Sequence, residues 1–529
     1  MKKRLLLLLC LTLTAGGAAW AEIASGTCKR GTWVIDDNGK LTVNIDGDMA
    51  DYGEGKAPWY GYRSKITAIH ISSGCTNIGR NGFFGLERVE KVTGGENVEA
   101  CAMYSFEDCG SSSNPIPSIY FPKCSYVGER AFRETSAVFV SLPLVETYKA
   151  DAIYSYHVDD RFINFIDLGS KVKKLRPGSM CGPDYVFIQS PTPPEWVRLY
   201  HDEEWDGPGG GKPYRYPFGS NPNVKVIVPQ EYLQTYIDYY PSEHPEVCEG
   251  YMCAYFDSYV SGRYVGFHPD NQDIYSTGKL VAGAPIYKDG EFIGFWYIDD
   301  GELTLEFLSG IMPTYSKDNA PWKSVLDKAN KIVFYCNNKD FIIPANAFEG
   351  INSSHITFKD MKSITIGDGA FKNCTNLEDV YFSHGGNSPY ISVYIGNSAF
   401  QGCKNLEILE EGGLYRRLIL EKLGVSCFEG CEKLQSIGIN KMGIRQEVPE
   451  RAFYGCKDFK KWPFMFRENA LKIGKQAFYG AGLDEVNMKK PISIEEQAFA
   501  NSDIEKVILG NLYYTTVKSE ARLLPTAQN

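Results

Sequence analysis

An aromatic residue returns along this chain in one local frame, with an aliphatic residue five positions before it and a small residue one position before it. The second half carries the frame as Ile343/Ala347/Phe348, Ile366/Ala370/Phe371, Ile395/Ala399/Phe400, Leu423/Cys427/Phe428, Val448/Ala452/Phe453, Ile473/Ala477/Phe478 and Ile494/Ala498/Phe499. The rings are spaced by 23, 29, 28, 25, 25 and 21 residues. The first half holds Ile78/Gly82/Phe83, Val127/Ala131/Phe132 and a degenerate copy at Phe106. Periods of this size predict a solenoid, in which one small unit stacks on copies of itself to bury a face that no copy buries alone. Burying each ring is worth roughly 1.5–3 kcal/mol, so the Phe residues are expected to form a core column.

A second pattern follows the ring five or six residues on. Leu377–Phe382, Leu434–Ile439, Leu483–Met488 and Ile504–Leu509 all read L-x-x-V-x-L. The alternation at the end of that motif suits a short strand with one face buried. Each unit then reads as a strand, a turn region holding the aliphatic-Gly-x-x-Ala-Phe segment, and a return, with the strands forming a parallel sheet. Cys374, Cys403, Cys431 and Cys456 each stand three residues after a frame ring. Equivalent positions stack alongside one another, so this column reads as small buried apolar side chains rather than disulfides. Cys248 and Cys253 are the better disulfide candidates.

A larger duplication overlies the short one. Trp33-Val34-Ile35-Asp36-Asp37 recurs as Trp296-Tyr297-Ile298-Asp299-Asp300, and Ala57-Pro58-Trp59 as Ala320-Pro321-Trp322. Each copy precedes a set of repeats, where a terminal repeat needs a cover over its apolar face. The two segments therefore read as N-terminal caps; sugar binding by their Trp residues is the alternative. Between the arrays, Pro191, Pro193, Pro194 and Gly207–Gly211 break the pattern. Val224–Pro229 reads as a strand and Glu231–Tyr239 as a short helix.

The ends and the charge narrow the function classes. Lys2, Lys3 and Arg4 precede the apolar run Leu5–Leu13 and then Ala19-Trp20-Ala21, the pattern of a secretory signal cleaved after Ala21. No other stretch has the 18 apolar residues of a membrane helix. A formal charge of −10 argues against nucleic acid as a partner. The seven histidines are scattered, and neither H-E-x-x-H nor G-x-S-x-G occurs. The Asp202–Asp206 cluster could hold a glycosidase acid pair or calcium, yet adjacent carboxylates on a loop are usually only solvated. The expectation is a non-enzyme without metal or cofactor.

Together the I-G-x-x-A-F-x-x-C repeat, the D-G-x-L-T…A-P-W module and the signal segment resemble the BspA-type leucine-rich-repeat surface proteins of bacteria. That resemblance implies a mainly β leucine-rich-repeat solenoid displayed at the bacterial surface, in some members adhering to host matrix proteins or other cells. The organisation expected is a signal at 1–21, a first cap and repeats at 22–190, an irregular segment at 191–290 in which Val224–Tyr240 resembles the unit that closes repeat arrays in this family, a second cap and repeats at 291–510, and a tail at 511–529. Candidate ligand-binding residues are the outward members of the strands: Thr67, His70, Asp379, Tyr381, Ser436, Gly438, Glu485, Asn487, Lys506 and Ile508. The partner expected is a protein or glycan at a cell surface. A glycan-handling middle segment and a structural spacer are the competing readings.

Overall fold

The frame ring turns inward because the backbone on each side of it bends through a left-handed residue. Positive φ occurs two residues before and two after the ring: Asn81 and Gly85 around Phe83, Asn346 and Gly350 around Phe348, Gly369 and Asn373 around Phe371, Arg451 and Gly455 around Phe453. Gly and Asn recur there because they tolerate that region at least cost. The structure is a computed structural model, described for residues 22–149, 151–153, 163–175, 179–180, 183–196, 224–239, 251–257, 272–289, 291–308, 310–315, 318–383, 390–411, 417–437, 447–460, 471–488, 492–509 and 516–517. Two compact units divide it, residues 1–280 and 281–529.

Successive turns lock together through the frame itself. Each ring residue donates its N–H to the carbonyl of the small residue in the next turn: Phe348 to Ala370, Phe371 to Ala399 and Phe400 to Cys427, all at 2.8 Å. The rings then stack in a row, Phe400 on Phe428 at 5.5 Å and 3°, Phe453 on Phe478 at 5.2 Å and 1°. Phe348, Phe371, Phe400, Phe428, Phe453 and Phe478 are wholly buried and Phe499 nearly so. In the first unit Phe83, Phe106 and Phe132 form the same column, with centroids 5.1 and 5.2 Å apart. The predicted core column is present, and the fold is the expected mainly β solenoid.

The column also runs on where the repeat looked degenerate. Phe132 donates to Ala152 O, and Ile153 N–H in turn to Ser179 O, both at 2.9 Å. Ile153 and Met180 thus take the ring's place, with Tyr148 and Leu175 in the aliphatic position, and all four are buried. The pattern survives there as backbone bonding without its aromatic marker.

Among the described residues several turns supply two strands rather than the single one expected, while Lys331–Ile343 and His355–Ile366 each run through both positions as one strand. The aliphatic residue of the frame closes a second short strand, as in Cys75–Ile78, Glu447–Val448, Leu471–Ile473 and Ile492–Ile494, and these pair in parallel from turn to turn. The glycine that follows is set by close approach. A Cβ on Gly424 would lie 2.3 Å from the Gly396 carbonyl carbon, and one on Gly396 2.7 Å from that of Gly367. The L-x-x-V-x-L strands form the other ladder: Lys331–Ile343, His355–Ile366, Asp379–Ser383, Ile408–Glu411 and Ser436–Ile437 run parallel in the second unit. In the first unit Ile116–Tyr120, Ala137–Ser141, Ile163–Asp167, Tyr185–Phe187 and Lys225–Val228 do the same. The helix predicted after that last strand spans Leu233–Tyr239, anchored by buried Tyr236, whose hydroxyl donates to Ser190 O at 2.9 Å.

Trp59 and Trp322 stand at the head of their columns. Trp59 stacks on Phe83 at 5.9 Å and donates its indole N–H to Gly82 O at 2.8 Å. Trp322 stacks on Phe348 at 6.1 Å and 12°. Both are buried, which leaves neither indole face open to a sugar.

Candidate functional site

Alternation along the strands divides each ladder into an inner set and an outer set. In the second unit Ile332, Phe334, Ile356, Phe358, Val380 and Phe382 go to the core. The remaining residues align across strands by register. The first outer row runs Glu302, Lys331, His355, Asp379, Ile408, Ser436. The second runs Thr304, Val333, Thr357, Tyr381, Glu410. The predicted residues Asp379 and Ser436 thus share one row, and Tyr381 lies in the row beside them.

The first row is a ladder of polar pairs. Lys331 Nζ lies 2.7 Å from Glu302 Oε2, and His355 Nδ1 lies 2.6 Å from Asp379 Oδ2. Lys331 and Glu302 are 35 and 37% exposed, so that pair is worth at most about 1 kcal/mol and is cheap to alter without unfolding the solenoid, whereas Asp379 beside His355 is only 16% exposed. A third row follows with Glu306, Tyr335, Lys359 and Ser383. Burial, with Asp360 and Glu306 nearby, pushes the Tyr335 phenol up to about 12.

In the first unit His70 lies in an outer row with Thr42 and Thr93, its Nδ1 3.1 Å from Thr93 Oγ1. Partial burial, aided by Lys40 and opposed by Glu96, holds the imidazole below its ordinary pKa, so it is neutral at pH 7. Thr67 lies just before the strand, and its hydroxyl donates to Asn38 O at 3.0 Å. Its role there is to tie a turn. Glu485 and Lys506 pair in register on strands Glu485–Met488 and Lys506–Leu509, as do Asn487 and Ile508. The side chains of Asn487, Lys506 and Ile508 are outside the described set. Gly438, the signal segment 1–21, Asp202–Asp206 and Cys248 fall outside the described residues, and Cys253 is described in backbone only, on Tyr251–Asp257.

The outer face is not uniformly open, which sequence reasoning missed. Phe139, Phe165, Phe187 and Ile227 point away from the inner core yet are 0–5% exposed. Beside them Asp167 is buried and accepts hydrogen bonds from Ser141 Oγ at 2.9 Å, Gly169 N at 2.9 Å and Gln189 Nε2 at 3.0 Å. In the second unit Phe295, Tyr297, Thr304 and Val333 are likewise buried on the outer side. A signal was present: Val138-Phe139-Val140 and Phe165-Ile166 break the alternation of polar and apolar residues. The ladder partners Lys331 and His355 were also legible, since Lys331-Ile332-Val333-Phe334 and His355-Ile356-Thr357-Phe358 match Asp379-Val380-Tyr381-Phe382.

The cysteine column proves to be polar in function. Cys374 Sγ donates to Phe348 O at 3.2 Å, Cys403 to Phe371 O at 3.0 Å, Cys431 to Phe400 O and Cys456 to Phe428 O at 3.1 Å. Each thiol satisfies the carbonyl of the ring one turn back, and Thr135 does the same for Phe106 O at 2.9 Å. All four cysteines are free and buried. Burial pushes the Cys403 and Cys456 thiols well up, so they remain protonated and unreactive. Among the described residues no group of three or more His, Cys, Asp or Glu could hold a metal ion, and no helix is long and apolar enough to cross a membrane.

These features define a leucine-rich-repeat solenoid. The BspA type leucine rich repeat region matches at residues 59–179, 334–411 and 394–521, together more than half of the chain, and the chain belongs to that family. Solved structures with a similar repeat include a leucine-rich repeat protein from Eubacterium ventriosum, 16% identical, covering 91% of this chain and 96% of that one at a TM-score of 0.26. A leucine rich cell surface protein from Faecalibacterium prausnitzii is 13% identical over 92% of this chain and 94% of that one, at 0.24. A leucine-rich repeat protein from Bacteroides ovatus is 14% identical over 92% and 98%, at 0.20. A comparison with curated proteins found no match.

Proposed function

We propose that this chain is an exported, surface-displayed binding protein that holds a macromolecular partner on the outer face of its strands and catalyses nothing. The observation that carries the reading is the first outer row, Glu302–Lys331–His355–Asp379, whose side chains are in register and free of core duty. Repeat proteins of this kind change partners by varying such positions while the inner columns stay fixed. In this reading residues 1–21 are removed on export, and residues 22–190 and 291–510 form two arrays, each headed by its tryptophan cap. The stacking of Trp59 on Phe83 and of Trp322 on Phe348 supports that division. The partner class expected is protein.

Charge reversal tests it. Lys331→Glu, Lys359→Glu and Glu485→Lys, combined in the full chain, should weaken binding to an immobilised panel of matrix proteins roughly tenfold or more. The thermal midpoint should hardly move, because exposed pairs contribute little to stability. Undiminished binding by the triple variant sinks the strand-face reading. Absence of any binding by the parent chain favours the spacer instead.

A further inference from the structure

The turn edge of the second unit carries a group of side chains that the strand face does not use. At the left-handed position two residues before the ring, most turns of this unit place Asn, Gly or Ser: Asn346, Gly369, Ser398 and Ser426. The last three turns place Arg451, Gln476 and Gln497 there, all at φ 54°. Long side chains are the costlier choice at positive φ, so a compensating contact is expected.

That contact is a hydrogen-bond chain across four turns. Arg451 donates through Nε and Nη2 to the Glu429 carboxylate, and through Nη1 to Gln476 Oε1 at 3.0 Å. Gln476 Nε2 then donates to Gln497 Oε1 at 2.7 Å. Gln497 Nε2 has no partner among the described residues, so the chain ends in a polarised amide with donors to spare.

An aromatic stack runs alongside. The Arg451 guanidinium lies 3.9 Å over Tyr454, and Tyr454 stacks on Tyr479 at 4.8 Å and 4°. The next turn places Ala500 at the tyrosine position, so no third ring follows the stack. Both tyrosines are half-buried, and Asn501 Nδ2 donates to the Tyr479 hydroxyl, which fixes that ring. Beside them, a Cβ on Gly455 or Gly480 would meet nothing within 4 Å, so the backbone borders open space.

We infer that this edge, Tyr479 with Gln497, Gln476 and Asn501, is a saccharide-binding site. An immobilised ring offers a flat apolar face to the C–H side of a sugar, and planar amides match vicinal hydroxyls, each both donor and acceptor. A protein partner is the weaker fit. Protein hot spots centre on an apolar anchor, and the exposed hydrophobic residue near this edge, Val425, lies two turns before Tyr479, outside the group. The site stands apart from the strand-face reading and survives its failure.

Ligand-observed saturation-transfer NMR on the full chain, with hexaoses of cellulose, starch, laminarin and chitin and with soluble mucin, tests the site. Transfer to at least one probe is expected. It should fall at least fivefold in Tyr479→Ala and Gln497→Ala and persist in Tyr126→Ala, an exposed tyrosine of the other unit. Tyr479→Phe, which keeps the stacked ring, separates loss of the site from loss of fold and should retain transfer. Silence with every probe, equal signal in both alanine variants, or Tyr479-dependent mucin binding that survives periodate oxidation of the glycans overturns the inference.

Discussion

At the residue scale the chain shows how one identity serves two purposes. Residues at the left-handed positions need only tolerate positive φ, yet Arg451, Gln476 and Gln497 also link turns. The cysteines were legible as buried and small, but their hydrogen bonds to ring carbonyls were not, because the acceptor belongs to a residue 26–32 positions back. Glu107 presents the same limit. It reads as a surface acid in the sequence, but it is only 9% exposed, beside Arg133 at 3.2 Å. Burial pushes its carboxyl from 4.5 up to about 7, with Arg133 opposing the shift. An acid whose folded pKa lies above its unfolded value binds protons on folding, so stability falls as pH rises through that interval. Denaturation midpoints measured from pH 4.5 to 7 should decline accordingly, and Glu107→Gln should remove that part of the slope. An identical slope in the variant would show that Glu107 titrates normally.

At the element scale the repeat unit is a pair of short strands joined by a turn whose glycine lies against its neighbour. That glycine was visible as the I-G of the motif; its reason was not, since close approach exists only between stacked turns. Gly424→Ala forces a Cβ to within 2.3 Å of backbone, where no side chain can give way. Overpacking of that kind costs about 1–3 kcal/mol or more. Phe428→Ala creates a cavity in the column and should cost about 3–5 kcal/mol. Urea denaturation of both variants checks the pair, and a near-neutral Gly424→Ala contradicts the close-approach argument. Ile153 and Met180 teach the complementary lesson. A reading keyed to aromatic residues loses the repeat there, while the backbone bonds continue unchanged.

At the scale of the whole molecule the strands supply one outer face per unit, open in places and closed in others. His70 and the Glu302–Asp379 row are half-buried or better exposed, whereas Phe139, Phe165 and Phe187 are covered. The outer surface is therefore patchy, and the recognition proposed above falls to the open rows. The division into residues 1–280 and 281–529 has a thermodynamic consequence. Chains with two cores depart from single two-state unfolding. Calorimetry should resolve two transitions, and Phe428→Ala should lower one while leaving the other in place. A single transition that shifts as a whole would mean the two cores unfold as one.

Periodicity by itself determined the solenoid, the ring column, the strand alternation and the duplicated tryptophan segments. All of these arise from burial repeated at a fixed spacing, which leaves its mark on residue type. Tertiary structure alone decided which outer rows are open, how thiols and amides bridge turns, and where the column continues without an aromatic. Those depend on what lies opposite a residue in the next turn, and spacing along one chain does not encode that.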